Sequence, residues 1–206
     1  MADAPILAID PQHPQPRHVE RAVKALEGGG VIAYPTDTYY AIGCDLLNKR
    51  AVEKLYRLKG RPTGKPLSFL CADLSDIARY ARVSNYAYRV MKRLVPGPYT
   101  FILPATKLTP EIAMTRQKTV GIRVPDAPIP LALVERLGHP LLTTSATWGD
   151  EVLLDPREIK DRLGHGLELI IDGGWQVNEP STVLSLLEDQ VEVLRQGKGS
   201  VEGLGA

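Results

Sequence analysis

Four segments of the chain gather groups able to hold an anionic small molecule. The first is "LYRLKGRPTGKPLSF", residues 55–69. From Lys54 to Ala72 the sequence carries Lys54, Arg57, Lys59, Arg61 and Lys65 without one carboxylate, while the whole chain has a net charge of only +1. Cations at the end of a helix offset its macrodipole and cover its open carbonyls, which accounts for Arg57 and Lys59. Arg61 and Lys65 lie beyond the Gly60–Arg61–Pro62 break, and an anion site is the better reading of those two. The second segment, "YPTDTYYAIG" (34–43), places small hydroxyls and aromatics between two strands. Taken alone it is a turn in which Asp37 and Thr38 bond the backbone.

The third segment is "TVGIRVP" (119–125), where Arg123 interrupts an apolar strand of Val120, Ile122 and Val124. An arginine on an exposed sheet face and an arginine aimed at a ligand are both open readings. The fourth, "LLTTSAT" (141–147), is either a β-branched strand face or a row of hydroxyls at a strand's carboxyl end, where open α/β sheets take small ligands.

Other chemistries are excluded. No GxxxxGK[ST] occurs; "GRPTGKP" has the wrong spacing and puts Pro66 where a magnesium-binding Ser or Thr would stand. Gly28–Gly30 precede a strand instead of opening a helix, so they form no dinucleotide fingerprint. His13, His18, His139 and His165 are scattered without partners at ligand spacing, which argues against a structural zinc. Cys44 and Cys71 form no CxxC and read as buried thiols in a reducing compartment. The N-terminal segment lacks a signal-peptide pattern and no apolar run reaches the length of a membrane span. A cytoplasmic protein without membrane partners is expected.

The elements that must position these groups alternate. Val19, Ala22, Val23 and Leu26 form a helical stripe that Gly28–Gly30 terminate. Asn48 is the expected N-cap of a helix carrying Val52, Leu55 and Tyr56. Further helices are expected in "NYAYRVMKRL", "IPLALVERLG" and "DPREIKDRLG", and strands in "VIAYPT", "YYAIGCDL", "PLSFLCA", "YTFILPA", "TVGIRVP", "PLLTTSA", "LELIIDGG", "STVLSLL" and "VEVLRQG". This order predicts a single α/β domain with a mixed sheet over 17–200, preceded by an extended lead-in over 1–16.

Taken in order, "YPTDTYYAIG", "LYRLKGRPTGKPL", "VPGPYTFILPA", "TVGIRVPDAPI", "PLLTTSAT", "IIDGG…PSTVLSL" and "VLRQGKGS" resemble the YrdC/YciO superfamily, whose best-known members are threonylcarbamoyl-AMP synthases. The resemblance implies an open, twisted mixed sheet with a concave basic cavity. It implies a reaction in which ATP, L-threonine and bicarbonate give threonylcarbamoyl-AMP and pyrophosphate, for threonylcarbamoyladenosine in tRNA. It implies ATP with magnesium as a substrate and no structural metal held by the protein. Carried over by motif, Lys59 and Arg61 face the phosphates and are the catalytic pair. Thr119, Ser145, Thr147 and Arg195 are implied as further nucleotide contacts, and Thr36, Arg123, Thr143 and Ser181 as contacts to the amino acid.

Two departures stand out. Ser145-Ala146-Thr147 replaces the synthase pattern Ser-x-Asn, and Thr lacks the amide's paired donor and acceptor. Ala41 stands where synthases have Gly. With "CADLSDIARYA", "PGPYTFIL" and "PREIKDRLG", these features look more like the YciO branch. That leaves the alternative of a paralogue without synthase activity, which binds double-stranded RNA or tRNA or acts on threonylcarbamoyl groups in reverse.

Overall fold

The apolar stripes of the helices decide which face of the sheet each one covers. In the computed structural model, residues 3–60 and 67–204 are described. Arg61 and Lys65, the two cations that asked most clearly for an anion, lie outside them. The helices are α1 (Pro16–Glu27), α2 (Lys49–Leu58), α3 (Leu74–Tyr80), α4 (Asn85–Leu94), α5 (Pro128–Leu137) and α6 (Pro156–Leu163). The expected stripe of α1 is its buried face, and Gly29 takes the left-handed conformation (φ +82°) just after it ends. Asn48 caps α2 as expected, its side chain accepting from the Ala51 amide at 3.1 Å. Asp73, Ser84 and Asp155 do the same for α3, α4 and α6.

Among the described residues twelve strands form: β1 (Ile6–Ala8), β2 (Val31–Tyr34), β3 (Ala41–Asp45), β4 (Ser68–Leu70), β5 (Tyr99–Pro104), β6 (Thr119–Arg123), β7 (Leu141–Ser145), β8 (Thr147–Trp148), β9 (Glu151–Val152), β10 (Leu169–Asp172), β11 (Thr182–Ser185) and β12 (Glu192–Arg195). Ten of them make one open mixed sheet in the order β1-β10-β2-β3-β7-β4-β6-β5-β11-β12, and β8 and β9 make a separate hairpin. β1 falls within the segment set apart as a lead-in; it lies parallel to β10 and edges the sheet.

Side chains alternate across a strand, so each strand feeds two layers. On the first face Ile42, Phe69, Phe101, Val120, Ile122, Leu142 and Leu184 join one cluster with the buried stripes of α2, α3, α4 and α6. On the second face Ile32, Tyr34, Leu141, Leu169 and Ile171 pack under α1 and α5. Those two helices cover only part of that face. Among the described residues no helix is long and apolar enough to cross a membrane. Cys44 and Cys71 are free and buried, and burial pushes both thiols well above their ordinary range.

Candidate functional site

Where α1 and α5 stop, the second face of the sheet opens into a cavity of about 410 Å³, within the size range of small-ligand sites. β7 crosses the boundary: Leu141 belongs to the apolar cluster under the helices, while Thr143 and Ser145, on the same side of the strand, line the cavity. β4, β6, β5 and β11 supply the rest of the floor, including Ser68, Thr100, Gly121 and Val183. Gly121 has a specific role there. A Cβ at this position would sit 3.2 Å from Ser68 Oγ and 3.4 Å from Ile102 Cδ1, so any side chain would fill the floor. Ala41, one of the departures from the synthase pattern, also lines the cavity.

Arg123 projects from the same face of β6 as Gly121, because Val120, Ile122 and Val124 claim the opposite face for the core. Its side chain is 12% exposed and pairs with Asp37, itself 6% exposed, from the loop between β2 and β3. The exposed-face reading of this arginine is thereby excluded. The other Asp37 oxygen accepts from the Asp126 amide at 3.0 Å, and the Asp37 carbonyl accepts from Lys198 Nζ at 2.7 Å. Arg123 Nε is buried and has no hydrogen-bond partner among the described residues. Burial draws the guanidinium pKa down, Asp37 raises it, and the nearby Arg195 lowers it. Two arginines thus share a cavity in which one carboxylate neutralises only one of them.

Arg195 is held by neutral groups. Its Nε and Nη2 donate to the Ser181 carbonyl at 3.1 and 2.9 Å, and Nη2 reaches Ser181 Oγ at 3.2 Å. Ser181 Oγ is 2.9 Å from Thr100 Oγ1. The other hydroxyls are similarly anchored. Thr36 Oγ1 donates to the Tyr39 carbonyl at 2.7 Å, Thr143 Oγ1 accepts from the Tyr34 phenol at 2.7 Å, and Thr119 Oγ1 lies 2.8 Å from Thr115 Oγ1. A hydroxyl offers one donor and two acceptor sites, so Thr119, Thr143 and Ser181 keep capacity for a ligand, whereas Thr36 Oγ1, also 3.1 Å from both the amide and the hydroxyl of Thr38, is filled.

Of the residues singled out from sequence, Thr36, Thr119, Arg123, Thr143, Ser145, Ser181 and Arg195 converge on this cavity. Lys59 and Thr147 sit beside it, engaged with each other. Lys59 ends α2 with its backbone, yet its ammonium crosses to the β7–β8 junction, donating to the Ser145 and Thr147 carbonyls at 3.2 and 3.3 Å and to Thr147 Oγ1 at 2.5 Å. Compensation of the helix dipole therefore does not explain where this side chain goes. Sequence reasoning gave Asp37 only the role of a turn residue and passed over Tyr34, Thr100 and Thr115. A "PTDT" turn carries no local sign that its aspartate will meet an arginine 86 residues away. Among the described residues no cluster of three His, Cys, Asp or Glu could hold a metal ion.

A profile of the Sua5/YciO/YrdC family, described as telomere recombination, matches residues 24–197. The chain is 45% identical over 197 residues to YciO of Escherichia coli K12, described as uncharacterized, covering 94% of this chain and 96% of that protein. It is 32% identical over 185 residues to a threonylcarbamoyl-AMP synthase of Vibrio vulnificus, covering 87% of this chain and 98% of the other. The crystal structure of E. coli YciO superposes with a TM-score of 0.92 at 42% identity, covering 98% and 99% of the two chains. P. abyssi Sua5 complexed with L-threonine superposes with a TM-score of 0.88 at 28% identity, covering 94% of this chain and 58% of that one.

Proposed function

The chain belongs to the Sua5/YciO/YrdC family, and from that premise we propose that its cavity binds L-threonine and an adenine nucleotide for threonylcarbamoyl-AMP synthase-type chemistry serving tRNA threonylcarbamoyladenosine. The observation that carries this reading is buried Arg123, with Nε unpartnered, beside Arg195 in a hydroxyl-lined cavity. That arrangement suits a carboxylate next to a phosphate. The Sua5 relative complexed with L-threonine supports the amino acid, and the relatives named as synthases support the reaction.

In this reading Arg123 holds the threonine carboxylate among Thr36, Thr143 and Ser181. The neutral threonine amine attacks bicarbonate, forming the C–N bond of a carbamate and releasing water. A carbamate oxygen then attacks the α-phosphorus of magnesium-bound ATP, and pyrophosphate leaves with the electron pair of the broken P–O bond. Thr119, Ser145, Thr147 and Arg195 orient the nucleotide. Lys59, with Arg61 from outside the described residues, meets the charge that builds on the phosphates. Such a reaction needs anions brought together and charge stabilised, without a protein nucleophile.

One observation favours a second reading, a YciO-type paralogue that binds the adenylate without making it, or consumes it in reverse. Thr147, in the position of the synthase Asn, spends its hydroxyl on Lys59. Purified protein incubated with ATP, threonine, bicarbonate and magnesium should release threonylcarbamoyl-AMP and pyrophosphate, and Lys59→Ala should abolish both. No product, with thermal stabilisation by the adenylate, would select the paralogue. An RNA-binding role needs cations spread over a broad surface with exposed aromatics. Trp148 and Trp175 are exposed, but exposed Asp150, Glu151 and Glu179 follow them closely in sequence. Salt-sensitive RNA binding without nucleotide stabilisation would overturn both enzymatic readings.

A further inference from the structure

Asp37 ties two distant parts of the chain to its own loop at the cavity wall, through three contacts. One carboxylate oxygen meets Arg123 Nη2 from β6, the other accepts from the Asp126 amide, and the main-chain carbonyl accepts from Lys198 Nζ beyond β12. Each contact constrains a different freedom of the aspartate. The Asp126 amide fixes the plane of the carboxylate, and Lys198 fixes the loop that bears it. With the carboxylate fixed, the guanidinium is pinned by one of its terminal nitrogens. The Nε–H remains buried and without a partner among the described residues.

We propose that Asp37 is a positioning residue that fixes the Arg123 guanidinium in the cavity wall, in the orientation in which it meets an incoming carboxylate. This rests on the assignment of L-threonine to the cavity and specifies how its carboxylate is selected. An arginine held only by its aliphatic stem would have to be ordered during binding. A pinned one presents its donors in place, and the affinity otherwise spent on ordering is retained. Asp37 also neutralises Arg123 before the ligand arrives. The uncompensated charge is then that of Arg195, so the two anionic parts of a bound adenylate meet different environments: a directional donor set at Arg123 and a net cation at Arg195.

The test uses the full chain. Asp37→Asn keeps the size of the side chain and removes its charge; Asp37→Glu keeps the charge and moves it by a methylene, so the buried arginine retains a counter-ion. L-threonine, L-threoninol, which lacks the carboxylate, and ATP are titrated calorimetrically into wild type and both variants. Each variant should weaken L-threonine by about tenfold or more, leave L-threoninol and ATP within about twofold, and so narrow the preference for threonine over threoninol. In ¹⁵N-labelled protein the Arg123 Nε–H resonance, assigned by its loss in Arg123→Lys, should be protected from solvent exchange in wild type and lose that protection in Asp37→Asn.

Unchanged protection with unchanged threonine affinity overturns the positioning role, as does an equal loss of threonine, threoninol and ATP binding, which marks a merely structural residue. Wild type that does not bind threonine removes the proposed substrate. In that case loss of Nε–H protection in Asp37→Asn still establishes that Asp37 aims Arg123, and retained protection still refutes it.

Discussion

One face of the sheet is built in two ways. Over β10, β2 and β3 it carries Leu169, Ile171, Ile32 and Tyr34, sealed by α1 and α5. Over β4, β6, β5 and β11 it carries Ser68, Thr119, Arg123, Thr100 and Val183, open to a ligand-sized cavity. Both halves belong to the same sheet and obey the same alternation of side chains, so strand geometry does not distinguish them. What lies above does. Under a helix an unpaired polar group would be costly, and apolar residues fill the space. Beyond the helices, hydroxyls and arginines are retained, several of them anchored to a neighbour, and among the described residues of the cavity wall Arg123 Nε is the exception, a buried side-chain atom without a partner. The exception marks where the fold has left something for a ligand to complete.

Perturbing each half should separate stability from binding. Leu133 is fully buried on α5, and Leu133→Ala should cost about 2–5 kcal/mol in chemical denaturation while the folded protein keeps its ligand affinity. If that variant lost ligand binding without losing stability, the division would fail. Arg123→Lys should do the reverse. It should weaken L-threonine by roughly 10- to 150-fold in calorimetry, the equivalent of about 1.5–3 kcal/mol for hydrogen bonds to a charged group, with a much smaller shift in denaturation midpoint.

Smaller effects test the borders. Tyr34 lies under the helices but donates across the boundary to Thr143 at 2.7 Å, so Tyr34→Phe should lose about 1 kcal/mol. It should also flatten the alkaline limb of the stability curve. Burial raises the pKa of this phenol; the folded chain keeps its proton where the unfolded chain has lost it, so the contribution of Tyr34 is whole below about pH 10 and falls as pH rises further. Fluorescence-monitored denaturation from pH 8 to 11 would show a decline no gentler than wild type if Tyr34 were irrelevant. Thr147→Val removes the hydroxyl that receives Lys59, and ATP should bind about fivefold more weakly, with Thr147→Ser restoring it. Equal weakening in both variants would mean that the hydroxyl is not what places the lysine.

Much of the fold could be read locally. Helical stripes such as Val19–Leu26 became buried faces, Asn48 became the cap it promised to be, and the long apolar strands formed where they were expected. The elements that escaped notice were β1, α3 and the β8–β9 hairpin, of three, seven and two residues per strand or helix. Such short elements hold too few periods for a pattern to stand out, and β1 in addition owes its form to pairing with the distant β10. Arg123 could be read only as an ambiguity, since alternation shows that a residue points away from the core without saying what it meets.

Local conformational energies are written in neighbouring residues, so the sequence alone determined its longer helices and strands, and the ordered motifs assigned its family. Tertiary structure decided which polar groups share one volume. Arg123 meets Asp37 across 86 positions and Lys59 meets Thr147 across 88, joined by a strand order that sets β7 beside both β3 and β4. Whether Thr143 and Ser145 face a helix or a cavity depended on how far α1 and α5 extend over the sheet, a matter of packing that no run of neighbouring residues encodes.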